Sequence, residues 1–378
     1  MVTKGLNLSS LICRKILKSN FLTMSRRMST SEDEVLFETI RNMGVITLNR
    51  PKALNALNLP MVRKIYEKMQ EWETKIGFVL IKGAGEKSFC AGGDVRAIVE
   101  SGMKGGKLGF EFFREEYMLN GLIGSYKIPY VALIDGIVMG GGVGLSVHGD
   151  YRVATEKTLF AMPETLIGLF PDVGATYVLP RLQGKLGVYL ALTGQRLKGY
   201  DVFLAGIATH YCDSNRMPEL EEALSKCNND RDIKDTLKKF GNSLDTPFSL
   251  APVLSKINKC FSAPSIETIL KALEEDGSDW ARNTISTLSK MSPTSLKVSL
   301  KAVNEGEKLN LLECLQVEHR ISCACLSNKD FYEGVRALLI DKDQNPNWQP
   351  ATLAGVTDDY VNSFFNKLPG NNELRFKL

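Results

Sequence analysis

Apolar residues in this chain fall first into short β-branched runs, then into long helical stripes. VLFETI (35–40) and VITLNR (45–50) flank an RNMG turn and predict a hairpin, which Pro51 closes. Residues 59–74 place Met61, Ile65, Met69 and Trp72 on one stripe, the spacing of an amphipathic helix. FVLIKG (78–83) and YVALIDG (130–136) are short, continuously apolar runs, as expected of strands buried on both faces. A second helix is predicted over 108–126 and a further strand over YRVAT (151–155). GAGEKSFCAGGD (83–94) reads as a glycine-rich loop, MGGGVGLSVHG (139–149) as a glycine turn into a short helix, and 162–182 as a loop followed by a helix. Strands alternating with helices predict an α/β fold. From about residue 215 every segment is helical in pattern, and Ser292 with Pro293 marks one helix start. No repeat or low-complexity linker separates this region, so it is expected to pack on the core.

Composition narrows the picture. The chain has 378 residues, 44% hydrophobic and 24% charged, values that exclude disordered, collagen-like and coiled-coil classes. No run of about 18 apolar residues exists, so no membrane span is predicted. The net charge of +4 is misleading. Residues 1–31 hold six cations and no acid, and the rest carries 41 basic against 43 acidic residues. Nucleic acid is therefore not an expected partner. In the first segment Leu8, Leu11, Ile12, Ile16 and Leu17 lie near helical spacing between cations, the pattern of an organellar import peptide; a plain basic tail is the alternative. Eight scattered cysteines lack zinc spacing and predict free, mostly buried thiols.

Familiar catalytic motifs are missing. GAGEKS is too short for a phosphate loop, and no complete G-x-G-x-x-G exists. GLSVH (144–148) has His148 where a nucleophile elbow needs Gly. With three histidines in all, a Ser-His-Asp triad has little to draw on, and His148 reads as an ordinary helix-end residue. What remains is two glycine loops, SFCAGGD and MGGGVG, each following a buried strand. Side by side they would offer two amides to one carbonyl oxygen, an oxyanion hole; equally, they would be tight turns that let helices pack on strands. Glu164 and Asp172 lie amid Met, Leu, Ile, Phe and Pro, where a carboxylate is costly unless paired or used. Their other reading is as two exposed loop acids.

Taken in order and spacing, SFCAGGD, MGGGVG and MPET–GLFPDVG resemble the crotonase (enoyl-CoA hydratase/isomerase) superfamily, with RPKALNAL (50–57) resembling its coenzyme A loop. REEYMLN (114–120), GLFPDVGATYVLPRL and DFYEGVRALLIDKDQNPNW extend the similarity, through nearly the whole chain, to the branch that hydrolyses 3-hydroxyacyl-CoA thioesters. The resemblance implies an α/β crotonase-like spiral of ββα units with an extended helical C-terminal region. The expected organisation is a mitochondrial targeting segment (1–31), a catalytic core (32–215) and a helical region packed on it (216–378). It implies that the amides of Gly93 and Gly141 hold the thioester oxygen and that Glu164 is the catalytic carboxylate, as nucleophile or as base. Asp172 would act beside it, with Glu116 lining the acyl pocket. Gly92, Ala53 and Leu54 would contact the coenzyme, with Arg50 and Lys52 as candidate phosphate contacts. The implied activity is hydrolysis of 3-hydroxyisobutyryl-CoA, or of 3-hydroxypropionyl-CoA, in valine breakdown in the mitochondrial matrix. It would use no metal, no cofactor beyond the coenzyme A of its substrate, and no membrane or nucleic-acid partner; homo-oligomers are common among relatives. A hydratase or isomerase, or a non-catalytic acyl-CoA-binding protein, are the competing expectations. Hydratases of the family carry a second glutamate where this chain has Gly144.

Overall fold

A computed structural model of the chain describes residues 33–241 and 245–376. The targeting segment expected over 1–31 lies outside these residues. The strands in chain order are β1 (Val35–Ile40), β2 (Met43–Leu48), β3 (Phe78–Gly83), β4 (Ser88–Cys90), β5 (Tyr130–Ile134), β6 (Ile137–Met139), β7 (Tyr151–Ala154), β8 (Leu159–Ala161), β9 (Leu197–Lys198) and β10 (His210–Tyr211). They form two sheets, β1-β2-β3-β5-β7-β10 and β4-β6-β8-β9. Within the larger sheet β1 and β2 make the antiparallel hairpin, and the other neighbours run parallel. Successive pairs β3–β4, β5–β6 and β7–β8 each place their first strand in the large sheet and their second in the small one. This is a spiral of repeating β-β turns with helices between them.

The continuous apolar runs are explained by burial on both faces. Phe78, Leu80, Val131 and Leu133 face Leu220, Leu224, Ile233 and Leu237, carried by the helices Met217–Leu224 and Asp230–Phe240. Their sequence neighbours Val79, Ile81, Ala132 and Ile134 face the main core. On that side the helix Leu108–Gly124 packs between the helix Leu59–Trp72 and the helix Leu311–Ser327. Glu34–Leu378 is one compact unit. The helix starting at Pro293 is capped by Ser292, whose hydroxyl accepts from Ser295 N at 3.0 Å. All seven described cysteines are free and buried, and Cys13 lies outside the described residues.

Two expectations change. The loop over 83–94 contains a strand, β4, too short to show a period. The helix expected within 162–182 is broken into short turns, Glu164–Ile167, Ala175–Val178 and Leu179–Arg181, because Gly168, Pro171 and Gly174 interrupt it.

Candidate active site

The two glycine loops meet. SFCAGGD leaves β4, MGGGVG leaves β6, and these strands pair directly. A Cβ built on Gly141 would lie 3.4 Å from Gly93 N, and one on Gly92 would lie 3.9 Å from Gly141 N. Gly92 at φ +104° and Gly140 at φ +45° hold turns that a side chain would strain. Among the described residues no loop or turn hydrogen bond uses the N–H of Gly93 or Gly141. Both loops border a cavity of about 240 Å³ that also contains Glu116, Glu164 and Asp172. Phe112, Phe113 and Leu169 supply apolar wall, and Leu338 and Leu339 line it from the π-helical turn Arg336–Ile340. Three larger hollows, of about 730, 560 and 450 Å³, are lined by none of the three carboxylates.

Glu164 and Asp172 are therefore not exposed loop acids. Their residues are 5% and 3% exposed, and Glu116 is 2% exposed. The carboxylate of Glu164 reaches the glycine turn: a Cβ on Gly140 would sit 3.1 Å from its Oε1. Glu164 Oε2 and Glu116 Oε1 are buried with no hydrogen-bond partner among the described residues. Such atoms are costly unless a ligand satisfies them. Burial pushes all three carboxyls up. Glu164 lies well above its ordinary range through burial and then the charge of Asp172, and Glu116 does so through burial and both neighbours. Asp172 is pushed up to about 7 by burial, against the opposing hydrogen bond from Tyr117.

Other side chains fix this arrangement. Tyr117 Oη donates to Asp172 Oδ2 at 2.6 Å. Val173 is a β-branched residue at φ +55°, which costs about 1–3 kcal/mol. Its carbonyl lies 2.7 Å from His148 Nε2, a ring kept neutral by burial, its pKa lowered to about 4. Glu318, on the helix Leu311–Ser327, accepts from Gly174 N and Thr176 N at 2.7 and 3.1 Å. None of these roles was read from the sequence. Tyr117 adjoins Glu116 in a quoted motif, and Glu318 is an acid on the apolar stripe of its helix, so each left a signal.

Position 144 is closed. A Cβ on Gly144 would lie 2.7 Å from both Asn120 Nδ2 and Val173 Cβ. A second carboxylate there would need the Asn120 side chain to swing aside and the strained turn at Val173 to shift.

The RPKALNAL segment forms the 3-10 turn Pro51–Ala53, followed by Leu54 and Asn55 in left-handed conformation. Buried Asn55 donates to Ala84 O and Ser88 O, and Leu57 bridges to Gly93, so this loop docks on the first glycine loop. The two cations of this segment differ in their surroundings. Arg50 is not a free cation: its Nε pairs with Glu34, one terminal nitrogen pairs with Asp94, and the other donates to Ala56 O. It is a clamp within the protein. Lys52 lies in an open hollow of about 450 Å³ that also contains Lys87.

Comparison with known proteins now decides the family. The enoyl-CoA hydratase/isomerase model matches residues 43–365. The chain belongs to the enoyl-CoA hydratase/isomerase family. It is 56% identical over 355 residues to the mitochondrial 3-hydroxyisobutyryl-CoA hydrolase of Xenopus tropicalis, covering 92% of each chain. It is 53% identical to the protein of that name from Homo sapiens, covering 94% of each. Among solved structures, a carnitinyl-CoA dehydratase from Mycobacterium thermoresistibile is 39% identical with a TM-score of 0.85, covering 91% of this chain and 99% of that one. Family members thus surround the chain with both hydrolase and dehydratase activities, and the site must decide between them.

Proposed function

We propose that this family member is a mitochondrial thioesterase that cleaves 3-hydroxyisobutyryl-CoA to 3-hydroxyisobutyrate and coenzyme A, in the matrix, as a step of valine breakdown. One observation carries the reading: Glu164 reaches the paired glycine loops in a cavity shared with Glu116 and Asp172, while a Cβ at Gly144, where the family's hydratases carry their second glutamate, would crowd Asn120 and Val173. Adding water across a double bond needs two acid–base groups around one water. Hydrolysis asks for less, because the departing thiol has a pKa near ~8.5 and leaves as thiolate with little protonation.

In this reading the amides of Gly93 and Gly141 receive the thioester oxygen as it gains negative charge, a pair in which one donor is worth about 3 kcal/mol of barrier. Glu164 drives the attack, either by bonding to the carbonyl carbon to give a mixed anhydride that water opens, or by taking a proton from the attacking water. The C–S bond breaks and coenzyme A leaves. The hydroxyl of the acyl group donates to Asp172 in a pocket that Glu116 also lines, which suits 3-hydroxyisobutyryl and the smaller 3-hydroxypropionyl chain. Lys52 is the phosphate contact, and the turn at Ala53–Leu54 with Gly92 receives the coenzyme. No cofactor besides the coenzyme A of the substrate is required. The test is thiol release over a panel of acyl-CoA esters, with the enoyl absorbance of crotonyl-CoA followed in parallel. Thiol release greatest for 3-hydroxyacyl esters supports the reading, and loss of enoyl absorbance without thiol release replaces it with a hydratase.

A further inference from the structure

We infer that Glu318 is a positioning residue for Asp172, acting from the C-terminal helical region on the catalytic turn. The inference rests on the thioesterase reading for its substrate but on geometry for its substance. Glu318 is fully buried on the helix Leu311–Ser327 and carries no cationic partner among the described residues. Its oxygens instead accept three bonds from one short segment: Gly174 N at 2.7 Å, Thr176 N at 3.1 Å and Thr176 Oγ1 at 2.5 Å. These partners lie 144 and 142 residues away in sequence.

What the segment does explains why a buried acid is kept there. Val173, between Asp172 and Gly174, is held at φ +55° with a β-branched side chain. Left to itself the residue would relax to negative φ and swing the preceding carboxylate. The turn resists through His148 on the Val173 carbonyl and Glu318 on the two amides beyond it. Tyr117 can meet Asp172 at 2.6 Å only while that geometry holds. An apolar residue at 318 would fill the same volume and leave two buried amides unsatisfied, which gives the carboxylate a local task.

The test compares Glu318→Gln with the wild type on 3-hydroxyisobutyryl-CoA. The amide keeps the shape, still accepts from Thr176, and sets an N–H against Gly174 N–H. The expected result is a kcat lower by at least ~10-fold, with KM within about threefold. Adding Val173→Gly, which removes the strain the clamp restrains, should restore part of the lost kcat. A carboxylate that merely supports the core predicts the opposite, since Val173→Gly also deletes a buried side chain. A kcat within about twofold of wild type, or a double variant slower than Glu318→Gln, overturns the inference. If Glu318→Gln fails to fold, Thr176→Val removes one of the three donors and is read by the same criteria. Proton–nitrogen NMR of the histidine rings, without substrate, gives an activity-free reading: the His148 signal must move in the variant, and an unmoved signal overturns the clamp. Should wild type release no thiol at all, the function is wrong, and the NMR comparison still decides the clamp.

Discussion

Tyr117 and Asp172 are joined by a 2.6 Å hydrogen bond between two side chains that solvent hardly reaches. Tyr117 comes from the helix Leu108–Gly124 and Asp172 from the turn after Pro171, so the bond ties the α/β core helix to the turn that borders the cavity. It is also the interaction that opposes the upward push of burial on Asp172. Removing it in Tyr117→Phe should move the Asp172 titration to higher pH. Activity near neutral pH should fall by roughly 10-fold, the worth of a hydrogen bond to a buried charged group. A pH profile of kcat/KM by thiol release reads this directly, and a profile with unchanged midpoint would remove Tyr117 from the mechanism.

The three cavity carboxyls also make stability depend on pH. Each has a folded-state pKa above its unfolded value, about 7 against 3.8 for Asp172. A group raised in this way binds its proton more tightly in the folded state. Its contribution is complete below the unfolded pKa and is lost as pH rises through the folded one. Melting temperature should therefore fall between about pH 4 and pH 7 on account of Asp172. Glu164→Gln keeps the shape and removes a carboxyl whose ionisation burial penalises, so it should abolish turnover while raising the melting temperature at pH 8 by ~2 °C or more. Thermal melts at pH 5 and pH 8 check both statements, and near-normal turnover in this variant would end the assignment of Glu164.

How far these features show in the chain depends on length scale. β2, β3, β5 and the helix Leu59–Trp72 were legible because each spans enough residues to display a period or a sustained apolar run. β9 and β10 are two residues long and were not, since two residues carry no period. At the site, Glu164 and Asp172 stood out as acids in apolar surroundings. Their convergence with Glu116, from a helix some fifty residues earlier, has no local signature and came only with the family resemblance. Arg50 shows a different limit. A cation in a loop looks free until the fold brings Glu34 and Asp94 to it.

Gly144 gives a prediction about what the site cannot become. Gly144→Glu would supply the second acid of a hydratase, but its Cβ would meet Asn120 and Val173 at 2.7 Å. Overpacking of this kind costs on the order of 1–3 kcal/mol, and the polar head must then enter space filled by a strained turn. The variant should melt lower than wild type and gain no hydration of crotonyl-CoA. Measurable loss of enoyl absorbance in a stably folded Gly144→Glu protein would show that the position is more open than its neighbours indicate.

Arg50 and Lys52 should part company although only Pro51 lies between them. Arg50 is largely covered and pairs with Glu34 at 3.0 Å and with Asp94 at 3.1 Å, while Asp94 caps the helix Val95–Gly102 that follows the first glycine loop. Arg50→Met keeps the aliphatic length and breaks both pairs. It should lower the melting temperature and slow kcat, because the Gly93 amide loses the support of its own loop. High salt should not mimic the loss, since the pairs are partly shielded from it. Lys52 faces open solvent beside Lys87. Lys52→Ala should leave stability and kcat alone and raise KM for acyl-CoA by about two- to fivefold, the worth of an exposed ion pair. That rise should shrink as ionic strength increases, because a solvent-exposed attraction is screened. Steady-state kinetics at low and high salt with matched melting curves separate the two residues. A salt-sensitive KM effect at Arg50, with stability intact, would return it to the role of phosphate contact and make the two ion pairs incidental.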